Sequence, residues 1–403
     1  MTAELIQGMR LIGHDLLSGY GGVGEGMSIQ ATRDGRRIMW LAHEGPPKNF
    51  TGVDVTDPRQ PTVVVQTELP NMHVRSNSLE TAGDLMAVAY QTLEPGQTPA
   101  GIEIFDISNP EAPRSISYFD CSGPHSRGVH QVWFVDGEYI HFAGGAADFT
   151  PKNQLDDQPY RILDVRDPTR PVEVGRWWMP GTAVGDSEPE PERLAIDTGF
   201  RAHNTNVYPD RLDRAYVGYI DGGGYILDIA DMSAPNIVSQ FNPNPPFPGF
   251  THTVMPLFSR DLLVVTHECV LDDGADWPKL TWIVDARRED NLVPLSILPM
   301  PDVTDYGRRG GRFGCHNVHE NPPRDTALKS DTLIFSSLFN GGVRVHDISD
   351  PTQPKEVAAF VPAAPEGSRV PAVQINDVYV DENAIVYAAD RHSGGLYVLE
   401  LEI

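Results

Sequence analysis

Basic side chains are in short supply here: 31 Lys and Arg stand against 56 Asp and Glu, a formal net charge of −25. Such a surface repels phosphate backbones and anionic lipid, which argues against nucleic acid and membranes as partners. Cysteine is scarcer still, with only Cys121, Cys269 and Cys315. An odd, sparse set is no disulfide framework and suits a reducing compartment. No apolar run approaches the ~18 residues of a membrane-spanning helix. Met1 to Arg10 lack a basic region followed by an apolar core, so no secretory signal is expected and a cytoplasmic location follows. Helical periodicity is almost missing. So are a Gly-x-Ser-x-Gly elbow, a phosphate-binding Gly-Lys-Ser/Thr loop and a His-Glu-x-x-His helix. The DGGG run at 221–224 lies between two strands with no helix after it, and reads as a turn.

What the chain does have is a recurring phrase: an apolar strand ending in Asp, a short polar stretch with Pro, then another strand. The copies VDVTDPRQP, FDISNPEAP, LDVRDPTRP, LDIADMSAP, VDARREDNLVP and HDISDPTQP place their first Asp at 54, 106, 164, 228, 285 and 347. Repeats of this period, built from short strands, indicate a propeller or solenoid. The turn has a chemical reason: Asp caps its own backbone, and Pro fixes φ where no donor is needed. Each unit reads as four strands, except the seventh, which ends after three. MRLIGHDLL (9–17) resembles the missing fourth strand, and pairing it with the last blade would remove two exposed edges. The expected fold is therefore all-β, a single seven-bladed propeller of four-stranded blades. The blades cover about 26–70, 77–120, 130–180, 203–243, 252–300, 316–362 and 376–403, and residues 9–17 close the ring.

These strand-Asp-Ile-Ser-Asp-Pro units, with inner strands opening His-Asn-Val or similar, resemble the LVIVD-repeat family. The resemblance covers essentially the whole chain and implies the propeller fold; it implies little about activity.

Aligning the starts of the innermost strands, with the downstream strands as register, gives Met27, Asn77, His130, His203, His252, His316 and Asn376. First strands line the central channel of a propeller, so four imidazoles would converge at one depth, off the axis. Neutral imidazole suits Fe, Cu, Ni and Zn, and a divalent metal is the expected cofactor, with Fe or Cu favoured and Zn possible. Four-histidine metal sites occur in two other propeller families, the carotenoid-cleavage oxygenases and the selenium-binding methanethiol oxidases; the parallel is architectural, because their motifs are not present here. Inheritance of one His by repeats of common origin, hydrogen-bonded to a neighbouring blade or to channel water, is the alternative.

Glu44 and Glu320, at strand ends near the same face, are the expected acceptors behind the imidazoles. Of the arginines preceding the aligned position, Arg75, Arg127, Arg201 and Arg312, the readings for substrate contact are Arg127 and Arg201. Tyr219 and Phe339, at the ends of second strands, join them, and His267, Glu268 and Asp390 are the acid–base candidates. FNPNPPFPGF (241–250) and Trp277 would wall the mouth or simply pack the loops down. The leading function is a metal-dependent enzyme on a small apolar or aromatic molecule, with or without a carboxylate, leaning to oxidase or oxygenase because an all-histidine set leaves the metal its full charge. A metal-dependent hydrolase or lyase, a non-catalytic binding propeller and a metal-free acid–base catalyst stay open. The sequence does not fix an oligomeric state.

Overall fold

The structure, a computed structural model, describes residues 3–19 and 22–403. Met1 and Thr2, which begin the stretch read for a leader, lie outside the described residues. The strands assemble into seven antiparallel blades around a central channel. Their innermost strands are Val23–Ala31, Leu79–Ala82, Val129–Trp133, Thr205–Asn206, Thr251–Leu257 and Ile375–Val380, with an irregular segment, residues 316–319, in blade six. That segment is tied to its blade by His316 N to Ser337 O (3.0 Å), Ser337 N to Asn317 O (2.9 Å) and the Val318–Ser336 bridge.

The repeated Asp does what its chemistry demands. Asp54, Asp106, Asp164, Asp228, Asp285 and Asp347 each accept, through Oδ1, the backbone N–H two residues on. Each Asx turn satisfies the chain where it leaves the third strand, so the fourth can reverse cleanly. Alternate residues of the strands fill the spaces between blades. Trp133, Tyr160, Tyr219 and Tyr225 share one apolar cluster across blades three to five, and each fully buried large side chain contributes about 1.5–3 kcal/mol.

Ring closure follows the expected pairing: Met9–Asp15 lies antiparallel to Leu396–Leu401, from Met9 opposite Leu401 to Asp15 opposite Leu396. The strand stops at Asp15, short of Leu17, which enters a single 3-10 turn. A second strand at this end, Ala3–Gln7, pairs with Lys355–Pro362 and becomes the outermost strand of blade six. Gly8 makes the step between the two blades at φ +61, where a Cβ would lie 2.7 Å from Val357 O. Among the described residues no helix is long and apolar enough to cross a membrane, and the three cysteines are buried thiols in no disulfide.

Candidate metal centre

A shared irregularity in the inner strands aims the histidines at the channel. Thr251 pairs with His267 and Thr253 with Thr266, leaving His252 as the extra residue of a β-bulge. His130 is the extra residue between Val129 and Gln131, and Asn376 between Ile375 and Asp377. A bulge breaks the two-residue alternation and re-aims one side chain. Here it turns that side chain inward without surrendering the apolar alternation on either side.

The four imidazoles meet. His130 Nε2 lies 2.8 Å from His203 Nε2, and the ring centroids run 4.3, 4.0 and 4.7 Å apart from His130 through His203 and His252 to His316. Their outward nitrogens are all engaged. His130 Nδ1 is 3.0 Å from Gln91 Oε1, an oxygen that also accepts two N–H bonds from Arg75. His203 Nδ1 is 2.9 Å from Asn204 Oδ1, whose amide nitrogen donates to Glu320. His252 Nδ1 is 2.7 Å from Thr253 Oγ1, a hydroxyl that donates onward to Asn317 Oδ1. His316 Nδ1 meets the carbonyl of Asn376. Every one of these partners presents an acceptor, so each Nδ1 donates outward and each Nε2 is left facing the cluster. Nε2 atoms brought this close repel unless a proton or a metal ion lies among them.

The sequence reading missed a residue at the heart of the cluster. Glu25 reaches it from blade one: its Oε2 is 3.6 Å from Nε2 of both His130 and His252 and 3.9 Å from His203 Nε2, and its Oε1 is 3.5 Å from His316 Nε2. Glu25, not Met27, thus stands at the aligned position. The bulge in blade one is wider than in the others, with Val23 paired to His43 and Met27 to Leu41, so register taken from downstream overshot by two residues. The signal was the pair of glycines around it. A Cβ on Gly24 would lie 2.4 Å from Asn77 O, and one on Gly26 2.3 Å from Leu79 N. Only glycine lets this strand lean that close to blade two and carry the acid inward.

Glu268, read as an acid–base group, is also in the cluster. Its Oε2 is 3.7 Å from His203 Nε2 and its Oε1 3.7 Å from His316 Nε2, while Arg312 Nη1 donates to Oε1 at 2.9 Å. The candidate groups therefore mix carboxylate with imidazole, where the sequence reading had imidazole alone. Glu25–His130–His203, Glu25–His252–His316 and His203–His252–Glu268 each form a group that could hold a metal ion.

The electrostatics of this buried spot call for positive charge. Burial opposes ionisation of Glu25, yet the surrounding imidazoles hold its carboxyl well below the usual range. Glu268 is lowered as well, against burial, by His316 and Arg312. Burial pushes His130 down to about 3. At His316 burial works the same way, but Glu268 and Glu25 overcome it and push the ring up to about 9. Glu25 Oε2, His252 Nε2 and His316 Nε2 are buried without any hydrogen-bond partner, a costly condition that a cation bound among them would relieve.

Other expected residues take different places. Glu44 does not back an imidazole; its Oε1 accepts from Arg75 at 2.9 Å and from Arg391. Glu320 reaches His203 only through Asn204, and lies further along the inner strands beside Asn206 and Tyr208. Asp390 has no free oxygen for acid–base work, because Oδ1 accepts from Gln374 N and Oδ2 from His392 N and Gly394 N. His267 is turned away from the cluster toward Trp282, and burial presses it down to about 3. Arg127 is clamped by both oxygens of Asp157 at 2.7 and 2.8 Å. Arg201 donates through Nη1 to the carbonyls of Leu155 and Thr198. Tyr219 is sealed between Trp177 and Tyr225 with its hydroxyl accepting from Met179 N. Phe339, by contrast, is at the site: it packs on His316 with centroids 4.9 Å apart, beneath Arg312 and Arg391. Of the wall residues, Phe250 packs on His203 at 5.9 Å, whereas Trp277 stacks on Phe313.

Comparison with known proteins agrees with the fold. Residues 213–243, within blade four, match the LVIVD repeat family. No curated protein sequence matches the chain. Among solved structures, the β-propeller domain of Myceliophteria thermophila Cps50 (Swd1) superposes with a TM-score of 0.56 at 13% identity, covering 93% of this chain and 96% of that one. A chain of the S. cerevisiae Dbp5 assembly with Nup159, Gle1, IP6 and ADP gives a TM-score of 0.54 at 12% identity, covering 99% and 96%. At such identities the likeness is one of fold alone.

Proposed function

Proceeding from a chain that is an LVIVD-repeat β-propeller, we propose a metal-dependent enzyme that acts on a small molecule entering the central channel. His130, His203, His252 and His316 would hold one divalent ion through Nε2, with Glu25 as the carboxylate ligand. The observation that carries this reading is the set of four anchored Nδ1–H groups, which fixes the tautomer and direction of every ring before anything binds. A cation also supplies counter-charge to Glu25, whose buried carboxylate has, among the described residues, no arginine partner of the kind Arg312 gives Glu268. Mixed imidazole and carboxylate donors favour iron over copper, with zinc next. Bound there, iron would supply redox chemistry for an oxidase or oxygenase, and zinc would supply Lewis acidity for a hydrolase or lyase.

The residues of the chain divide the remaining work. Glu25 approaches from the side of the channel that also holds Glu320 and Asp377. Glu268 faces the arginine-bearing mouth, held by Arg312, and is placed to accept a proton from substrate or water at a metal position left open on that side. Phe339 and Phe250 exclude water around His316 and His203. Glu268 beside the imidazoles is what keeps the hydrolase or lyase reading as the second choice. The three buried, unpaired thiols favour a cytoplasmic setting.

Plasma mass spectrometry on protein purified without chelator or affinity tag tests the centre, beside a His203→Ala, His252→Ala double variant whose fold is checked by circular dichroism. About one Fe, Cu or Zn per chain, lost in the folded variant, is the expected result and selects the reaction class to assay. Trace metal that is unchanged in the variant would overturn the assignment.

A further inference from the structure

Above the histidines, on the side of Glu268, lies a cavity of about 450 Å³ lined in part by Gly22, Glu44, Arg75, Arg369 and Arg391. That volume falls within the ~300–1,000 Å³ of small-molecule sites. Its lining carries three guanidiniums against one carboxylate, on a chain whose formal net charge is −25. Positive charge collected at a mouth in an otherwise acidic protein focuses the field there and draws anions in.

The arrangement around Glu44 shows what kind of anion fits. A single oxygen, Oε1, accepts from Arg75 Nη1 and from Arg391 Nη2, so the two guanidiniums already converge on a carboxylate. Arg75 is steadied from behind by Gln91, and Arg391 Nη1 lies 3.4 Å from Asn376 Oδ1. Burial, with Arg312 and Arg75 nearby, lowers the pKa of Arg391 in spite of Glu44 and Glu268. Arg369 is exposed and makes no hydrogen bond or ion pair among the described residues. The backbone at Gly22, Gly45 and Gly367 borders open space, since a Cβ there would meet nothing within 4 Å. From Arg391 the path inward is short: its guanidinium stands 6.0 Å from the Phe339 ring, which itself packs on His316.

We propose that this cavity is the recognition subsite for a carboxylate on the substrate, gripped by Arg369 and Arg391 with Arg75 behind them. The body of the molecule then extends past Phe339 and Glu268 toward the imidazoles. Planar guanidinium forks match a carboxylate in two hydrogen bonds, which gives orientation as well as affinity. The inference rests on the metal reading for the direction in which the substrate lies, but not for the anion site itself.

Calorimetric titration with benzoate and with succinate, each beside its uncharged amide, tests it on protein with metal and on protein stripped by chelator. Arg369→Gln is exposed and leaves the fold alone; Arg391→Lys keeps the buried charge but loses the fork. At least one carboxylate is expected to bind tenfold or more tightly than its amide, and both variants to weaken it about tenfold with metal content unchanged. Equal binding of acid and amide, or variants that bind as the parent does, would overturn the subsite. Carboxylate binding that survives in a protein shown to hold no metal would leave the subsite standing and remove only the enzyme reading.

Discussion

The two halves of the ring use the same structural position for opposite purposes. Blades three to six place His130, His203, His252 and His316 there and send Nε2 into the channel. Blades seven and two place Asn376 and Asn77 there, and these turn to the walls. Asn376 Nδ2 donates to the carbonyls of Val23 and Gly24, and Asn77 Nδ2 to that of His130. One half gathers lone pairs, while the other sews blade to blade. Glu25, in blade one between the two asparagines, belongs to the first group by function and to the second by location. Its backbone N–H donates to Asn77 O at 2.7 Å while its carboxylate joins the imidazoles. A bulge at a shared position therefore supplies an inward-pointing slot, and residue chemistry alone decides whether the slot binds or braces.

That contrast breaks most sharply at Glu25. Glu25→Gln keeps the shape and removes the charge, and metal affinity is expected to fall by at least about tenfold, measured by competition with a chromogenic chelator. An unchanged affinity would put Glu25 on the bracing side. Asn376→Ala should do the reverse. It strips the donor from two buried carbonyls and is expected to cost about 1–3 kcal/mol of stability in denaturant unfolding, with metal content intact because His316 bonds the backbone of Asn376 and not its side chain. Loss of metal in that variant would blur the division.

The smallest effect lies on the far side of the cluster, where Glu320 sits. Burial pushes its carboxyl from the ordinary 4.5 up to about 8. Between those pH values the unfolded chain has released a proton that the folded chain still holds, so stability falls as pH rises through the window and levels off above it. Glu320→Gln removes that slope and keeps the oxygen that accepts from Asn204 and Asn206. The variant should match the parent in acid and melt a few degrees higher near pH 8, followed by fluorescence across the range. A difference that does not vary with pH would refute it. Asp377, which burial pushes up to about 7, adds a slope of the same sign in a lower pH window in both proteins.

How much of this was legible from sequence depends on how local each feature is. The Asp-Pro turns are local, with each cap spanning two residues, so the blade count could be read directly. The four histidines were legible because their bulges insert the same single residue and preserve register from blade to blade. Glu25 was not, because its bulge is longer and the clue was a glycine on either side, a packing constraint imposed by Asn77 and Leu79. The mouth was hidden for a different reason. Arg75 and Arg391 lie 31 and 347 positions from Glu44, and nothing in their neighbours announces the meeting. Arg127 and Arg201 look alike in sequence, and only the folded loops show that Arg127 is clamped by Asp157 while Arg201 donates to backbone carbonyls through Nη1.

The strands Ala3–Gln7 and Met9–Asp15 give the molecule a seam. They stitch blade six and blade seven in succession, and Arg10 pairs with Glu402 across 392 positions of chain. Ala3–Gln7 edges blade six, the blade that carries His316, and Met9–Asp15 edges blade seven beside it. The seam therefore borders the histidine arc at its His316 end, and the closed hoop covers the strand edges that would otherwise lie bare there.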